Sequence, residues 1–112
     1  MDGNGLAGLG VSPGIAKGRV RILKSADDLL AVQKGEVLVV QSLEPTWTSV
    51  FMLAAGLVAQ RGATLSHGAI IAREFTLPAV ANVPQATTRL RNGQEIRVNG
   101  KSGKIEVLEQ TS

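Results

Sequence analysis

The only histidine of the chain, His67, lies in the run Gly62-Ala63-Thr64-Leu65-Ser66-His67-Gly68-Ala69-Ile70-Ile71-Ala72-Arg73-Glu74. The residues before it are small and turn-forming, and those after it read as a helix. Ser66 is a good N-cap, which puts His67 at the first helical position. Unpaired backbone N–H groups and the positive end of the helix dipole suit an anion there, phosphate in particular. The same dipole disfavours the imidazolium, so the ring keeps a lone pair for attack at physiological pH. Gly62 and Gly68 leave room for a phosphate, and Thr64 and Ser66 supply hydroxyls. After transfer, these groups would hold the phosphoryl oxygens. The chemistry expected of this arrangement is a histidine that carries phosphoryl.

Position alone leaves another reading open. A lone histidine near a helix start also serves as an ordinary capping or surface residue, and Thr64 and Ser66 serve as caps without catalytic duty. No Walker-type phosphate loop, paired carboxylates or serine-protease constellation stands out.

The elements that must position His67 follow from periodicity. Val11 to Gly14 reads as a turn. Residues 18–24 alternate, with Val20 and Ile22 on one face and Arg19 and Arg21 on the other, as in a half-buried strand. Ser25 caps a short helix over 26–32, with Asp27 and Asp28 in its first turn. Residues 36–41 hold the unbroken run Val37-Leu38-Val39-Val40, typical of a strand covered on both faces. A helix is expected over 46–55, stopped by Gly56. A strand over 57–60 then delivers the chain to the His67 loop. The His67 helix runs over 66–75, with Ala69 and Ala72 toward the sheet and Ile70 and Ile71 filling the core. Arg73 and Glu74 lie ~10 Å along the helix from His67, too far for contact, and are placed to pin its far end or meet a partner. A short strand over 79–81 and a short helix over 84–90 follow. Strands at 94–98 and 104–108 flank Asn99-Gly100-Lys101-Ser102-Gly103 as a hairpin. The mixture predicts an α/β sandwich with a mixed sheet.

Composition bounds the function. The 112 residues suit one compact domain. Residues 1–5 read as a flexible lead-in and 6–112 as the domain. There is no cysteine, which excludes disulfides and thiolate chemistry and accords with a cytoplasmic protein. With a single histidine besides, no metal site is expected. No apolar run approaches the ~20 residues of a membrane span, so no membrane partner is expected. The net charge of +3 is spread along the chain. Arg89 and Arg91 with Arg97, Lys101 and Lys104 could form a basic patch, but a solvated surface is the expectation. No aromatic residues interleave with the basic ones as stacked bases require, so no nucleic-acid partner is expected. Trp47, one of three aromatic residues, is expected in the core or an interface.

The run from Gly62 through Phe75-Thr76-Leu77-Pro78-Ala79-Val80 resembles the signature of the phosphohistidine, or swivelling, domain of phosphoenolpyruvate-utilising enzymes. That pattern is a Gly-Gly turn, a Thr/Ser-His pair, an Ala-Ile-x-Ala-Arg-Glu helix and an Ile/Leu-Pro-Ala-Val strand. Gly8 to Gly18 is similar to the family's opening segment, and Ala86 to Ile105 to its closing hairpin. Glu44-Pro45-Thr46-Trp47-Thr48 resembles the synthase and rifampin-phosphotransferase branches more than Enzyme I. The resemblance implies a swivelling β/β/α sandwich in which His67 shuttles phosphoryl between two active sites. It implies partners too: an ATP-grasp-like nucleotide-binding domain and a substrate-binding domain, in cis or in trans. ATP and Mg²⁺ would sit on those partners, with no cofactor on this domain. Such a domain is a catalytic carrier and not a complete enzyme. The alternative is a non-catalytic interaction module with the same fold. Three departures stand out. Ala63 replaces a second glycine. Leu65 replaces a threonine whose phosphorylation is regulatory in some members. Asn99 replaces a common aspartate.

Overall fold

The computed structural model describes residues 5–62 and 67–109. Among these residues, eight strands form one mixed ribbon of sheet: β1 (Gly5–Ala7), β2 (Leu9–Ser12), β3 (Ile15–Leu23), β4 (Val37–Val40), β5 (Gly56–Ala59), β6 (Ala79–Ala81), β7 (Glu95–Asn99) and β8 (Lys104–Glu109). Two α-helices, α1 (His67–Glu74) and α2 (Ala86–Arg89), and two 3₁₀ helices, Ala26–Ala31 and Pro45–Val50, complete it. The strand order is β1-β8-β7-β3-β4-β5-β6-β2.

β3 divides this ribbon into two sheets. Its first half pairs antiparallel with β7, from Ile15 opposite Asn99 to Arg19 opposite Glu95. Its second half pairs parallel with β4, from Val20 opposite Val37 to Leu23 opposite Val40. β4, β5 and β6 continue in parallel. The ribbon's outermost strands, β1 and β2, are consecutive in the chain and joined by Gly8 alone, so the ribbon folds back on itself. The hairpin loop locks this closure. Gly100 N–H donates to Gly14 O at 2.8 Å, and Gly8 N–H to Gly103 O at 2.8 Å.

The apolar run of β4 shows why three layers result. Leu38 and Val40 join one core with Trp47, Val50, Phe51 and Ala72, under the helices. Val37 and Val39 join a second core with Ile96, Val98 and Ile105, between the two sheets. Alternation thus buries both faces of one strand. The architecture is the expected α/β, β/β/α sandwich with a mixed sheet. Trp47 is buried, and its indole N–H donates to Ser42 O at 3.1 Å.

Several elements differ from the sequence expectations. Residues 5–12, where no strand was expected, form β1 and β2, and the turn expected over Val11 to Gly14 shrinks to Pro13 and Gly14. Gly5, expected in the lead-in, pairs with Glu106 in β1, and residues 1–4 lie outside the described residues. The segments expected as helices over 26–32 and 46–55 are 3₁₀ helices of six residues each. In the second, alternate β-branched residues Thr46, Thr48 and Val50 disfavour the α-helix, and Phe51 N–H bonds i→i−3 to Thr48 O. Ile70 is exposed instead of core, because α1 turns Ala72 and part of Ile71 inward. Arg89 and Arg91 do not share one patch with Arg97, Lys101 and Lys104 of the hairpin. Arg97 pairs with Glu106 at 2.7 Å on the hairpin, away from the α2 end that carries Arg89.

The Asp28 carboxylate accepts the N–H groups of Lys24 at 2.7 Å and Ser25 at 3.1 Å. These backbone bonds hold its carboxyl below the usual range. A carboxylate with a depressed folded pKa adds stability above its unfolded pKa and loses it as pH falls through the folded value. Asp28→Asn is therefore expected to flatten the acid limb of stability below about pH 4. Urea titrations at pH 3 and pH 7 read it, and an unchanged pH slope contradicts it.

Candidate functional site

The parallel strands determine where His67 lies. β5 leaves the sheet at Ala59, and its continuation is tied to β4: Gln60 N–H donates to Val40 O at 2.8 Å and Arg61 N–H to Gln41 O at 2.7 Å. Gly62 follows with φ of +140°, a conformation that L side chains rarely adopt, so the turn requires glycine here. His67 then opens α1, and Gly68 is its second residue. The histidine thus stands at a helix N-terminus beyond the carboxyl end of a parallel strand, a place where open α/β sheets bind ligands. Thr64 and Ser66, with Ala63 and Leu65, lie outside the described residues.

α1 is moored in its C-terminal half. Ala72 is fully buried in the core under the helices. Arg73 Nε donates to Val11 O at 2.7 Å, so this arginine pins the far end of the helix to β2. Phe75, just past the helix, meets Phe51 edge-on with ring centroids 5.7 Å apart. This mooring fixes the C-terminal half of the helix, at the end opposite His67. Filling the sheet-facing surface should loosen it. Ala72→Leu is expected to cost roughly 1–3 kcal/mol by overpacking. Thermal unfolding measures it, and an unchanged melting temperature contradicts the assigned face.

The sequence reading missed one contact at this end. The Gln60 carbonyl oxygen Oε1 accepts Thr87 N–H at 3.0 Å and Thr87 Oγ1–H at 2.8 Å. This clamps the first turn of α2 onto the end of β5. α2 places Ala86 and its cap Leu90 in the core between the sheets, closing that end of the sandwich. No local pattern could have signalled a pair 27 residues apart.

Asn99, the departure in the hairpin, keeps its structural duty. Its Oδ1 accepts Lys101 N–H and Ser102 N–H, both at 3.0 Å. An aspartate would accept the same two bonds. Among the described residues, no group of three or more His, Cys, Asp or Glu side chains could hold a metal. No helix among them is long and apolar enough to cross a membrane.

Comparison with known proteins agrees with this fold. A family model described as the mobile domain of PEP-utilising enzymes matches residues 32–103. A rifampicin phosphotransferase of Streptomyces sviceus is 46% identical over 103 residues, covering 92% of this chain. The chain spans 12% of that relative's length, so such relatives carry it as one small part of a longer phosphotransferase. Among solved structures, a chain of Thermococcus kodakaraensis aconitase X superposes with a TM-score of 0.65 at 20% identity, covering 94% of this chain and 98% of its own. That likeness is one of fold alone. The N-terminal domain of Enzyme 1 - Nitrogen superposes with a TM-score of 0.60 at 27% identity, over 72% of this chain and 34% of its own. With the family match spanning most of the chain, from Val32 through the His67 helix to the hairpin loop, the chain belongs to the mobile-domain family of PEP-utilising enzymes.

Proposed function

We propose that this domain is a phosphoryl carrier and that His67 is its nucleophile. The observation that carries the reading is the place of His67 as first residue of α1, beyond the end of β5. The neutral ring attacks the donor phosphorus with one nitrogen. An N–P bond forms, the bond from phosphorus to the donor's leaving group breaks, and the leaving group departs with the electron pair. The first N–H groups of α1 and the backbone at Gly62 and Gly68 then offset the phosphoryl charge, with Thr64 and Ser66 as hydroxyl donors. In the reverse sense, phospho-His67 passes the group to an acceptor.

The partners of this reading are a nucleotide-binding domain of the ATP-grasp kind and a substrate-binding domain. ATP and Mg²⁺ belong to those partners, and the reaction is cytoplasmic. The name of the Streptomyces relative supports a phosphotransferase of this class, and its much greater length leaves room for both partners. The test uses potassium phosphoramidate, a small donor that needs no partner. The expected product is lost at pH 3 and kept at pH 10, as a phosphoramidate bond requires. An acid-stable product would contradict the proposal.

A further inference from the structure

The seven arginines in the described residues, apart from their shared charge, fall into two groups by what their side chains do. Arg19 Nη1 donates to Gly93 O at 2.8 Å, and Arg21 forks onto Glu36 with Nη2 to Oε2 at 2.9 Å. Arg73 bonds Val11 O, and Arg97 bonds Glu106. The guanidinium groups of Arg61, Arg89 and Arg91 have no such partner among the described residues, and all three residues are exposed.

These three gather by topology at the end of the molecule where β5 leads to His67. Arg61 directly follows the β5 exit and is anchored through its N–H to Gln41 O. Arg89 ends α2, whose first turn is clamped to Gln60. Arg91 lies beside Asn92, whose Oδ1 accepts Ile22 N–H at 2.7 Å near the end of β3. Ile22 and Leu23 pair with Val39 and Val40, so this is the same carboxyl end of the parallel strands. Two of the acids nearby are occupied locally: Asp28 accepts backbone N–H groups, and Glu44 Oε2 accepts Ser42 Oγ–H at 3.3 Å.

We propose that Arg61, Arg89 and Arg91 form a positive collar that receives the polyphosphate of the phosphoryl donor held by the partner domain, with Arg61 the member nearest the His67 loop. The inference rests on the phosphoryl-carrier reading of His67 and adds the surface that meets the donor. Three exposed guanidinium groups with no anionic partner among the described residues attract an anionic donor and hold its oxygens in bidentate fashion. The salt dependence of such an exposed contact is steep.

The test is titration with inorganic pyrophosphate, followed by NMR of the His67 ring and the backbone. Binding is expected to shift His67 and the Arg61 region and to weaken as salt rises. Arg61→Gln is expected to weaken it by about three- to fivefold, the size of one exposed charge contact, and Arg61→Lys by less. Arg97→Gln, which removes an equal charge on the hairpin, is expected to leave it unchanged. Equal weakening by Arg61→Gln and Arg97→Gln would show diffuse charge and overturn the collar. A single-stranded oligonucleotide that binds more tightly than pyrophosphate would also overturn it, in favour of a nucleic-acid surface. Phosphoramidate labelling of the Arg61 variant reads the carrier function separately: label retained with pyrophosphate affinity unchanged rejects the collar alone, and label absent from the parent chain rejects the carrier reading.

Discussion

Gly100→Ala is expected to be among the most destabilising single-methyl additions in this fold. Gly100 sits in the hairpin loop pressed against β2. A Cβ there would overlap the carbonyl oxygen of Ser12 and lie 2.9 Å from Ala79 N. Both neighbours are backbone atoms held in the β2–β6 pairing, where Ser12 opposes Ala79. They cannot move aside as a flexible side chain would. Relief requires the hairpin to leave the sheet, breaking the Gly100 N–H bond to Gly14 O that helps lock the closure. The expected cost is about 3 kcal/mol, the upper end of ordinary overpacking. Lys101→Ala, at the exposed neighbouring position, is expected to stay within about 0.5 kcal/mol. Urea unfolding of the two variants measures the contrast, and similar midpoints would contradict the described closure.

The largest functional effect is expected from His67→Ala. Removing the imidazole removes the only histidine in the chain, so phosphoryl acceptance is expected to fall to background. The fold is expected to survive. The mooring of α1 comes from Ala72, Arg73 and Phe75, more than a turn along the chain from His67. A native melting temperature with no label is the expected pair of results. Label that persists in His67→Ala would move the chemistry to another residue.

Much of this was legible in the sequence because the signals were local. Val37 to Val40 announced a strand covered on both faces, and the two cores that take its alternate residues confirm the reason. Asn99 to Gly103 announced the hairpin, and its side-chain bonds lie within three residues. The small residues before His67 and the helical pattern after it marked the start of α1. What was missed depends on distant partners. Gly5 to Ser12 has too few large side chains to show alternation, so β1 and β2 exist through pairing with β8 and β6, far along the chain. Ile70 and Ile71 both read as core, yet adjacent helical residues point about 100° apart. The layer beneath accepts Ala72 and part of Ile71, and leaves Ile70 exposed. The Gln60–Thr87 clamp joins two polar residues whose types alone suggest nothing.

The central claim is that one nitrogen of His67 carries the phosphoryl group. It is tested most directly by incubating the chain with phosphoramidate, digesting it at alkaline pH and mapping the added phosphoryl by fragmentation mass spectrometry. One phosphoryl group on His67, lost after brief acid treatment, is the result this account predicts. An acid-stable phosphoryl group on Ser66 or Thr64, with His67 unmodified, would contradict it.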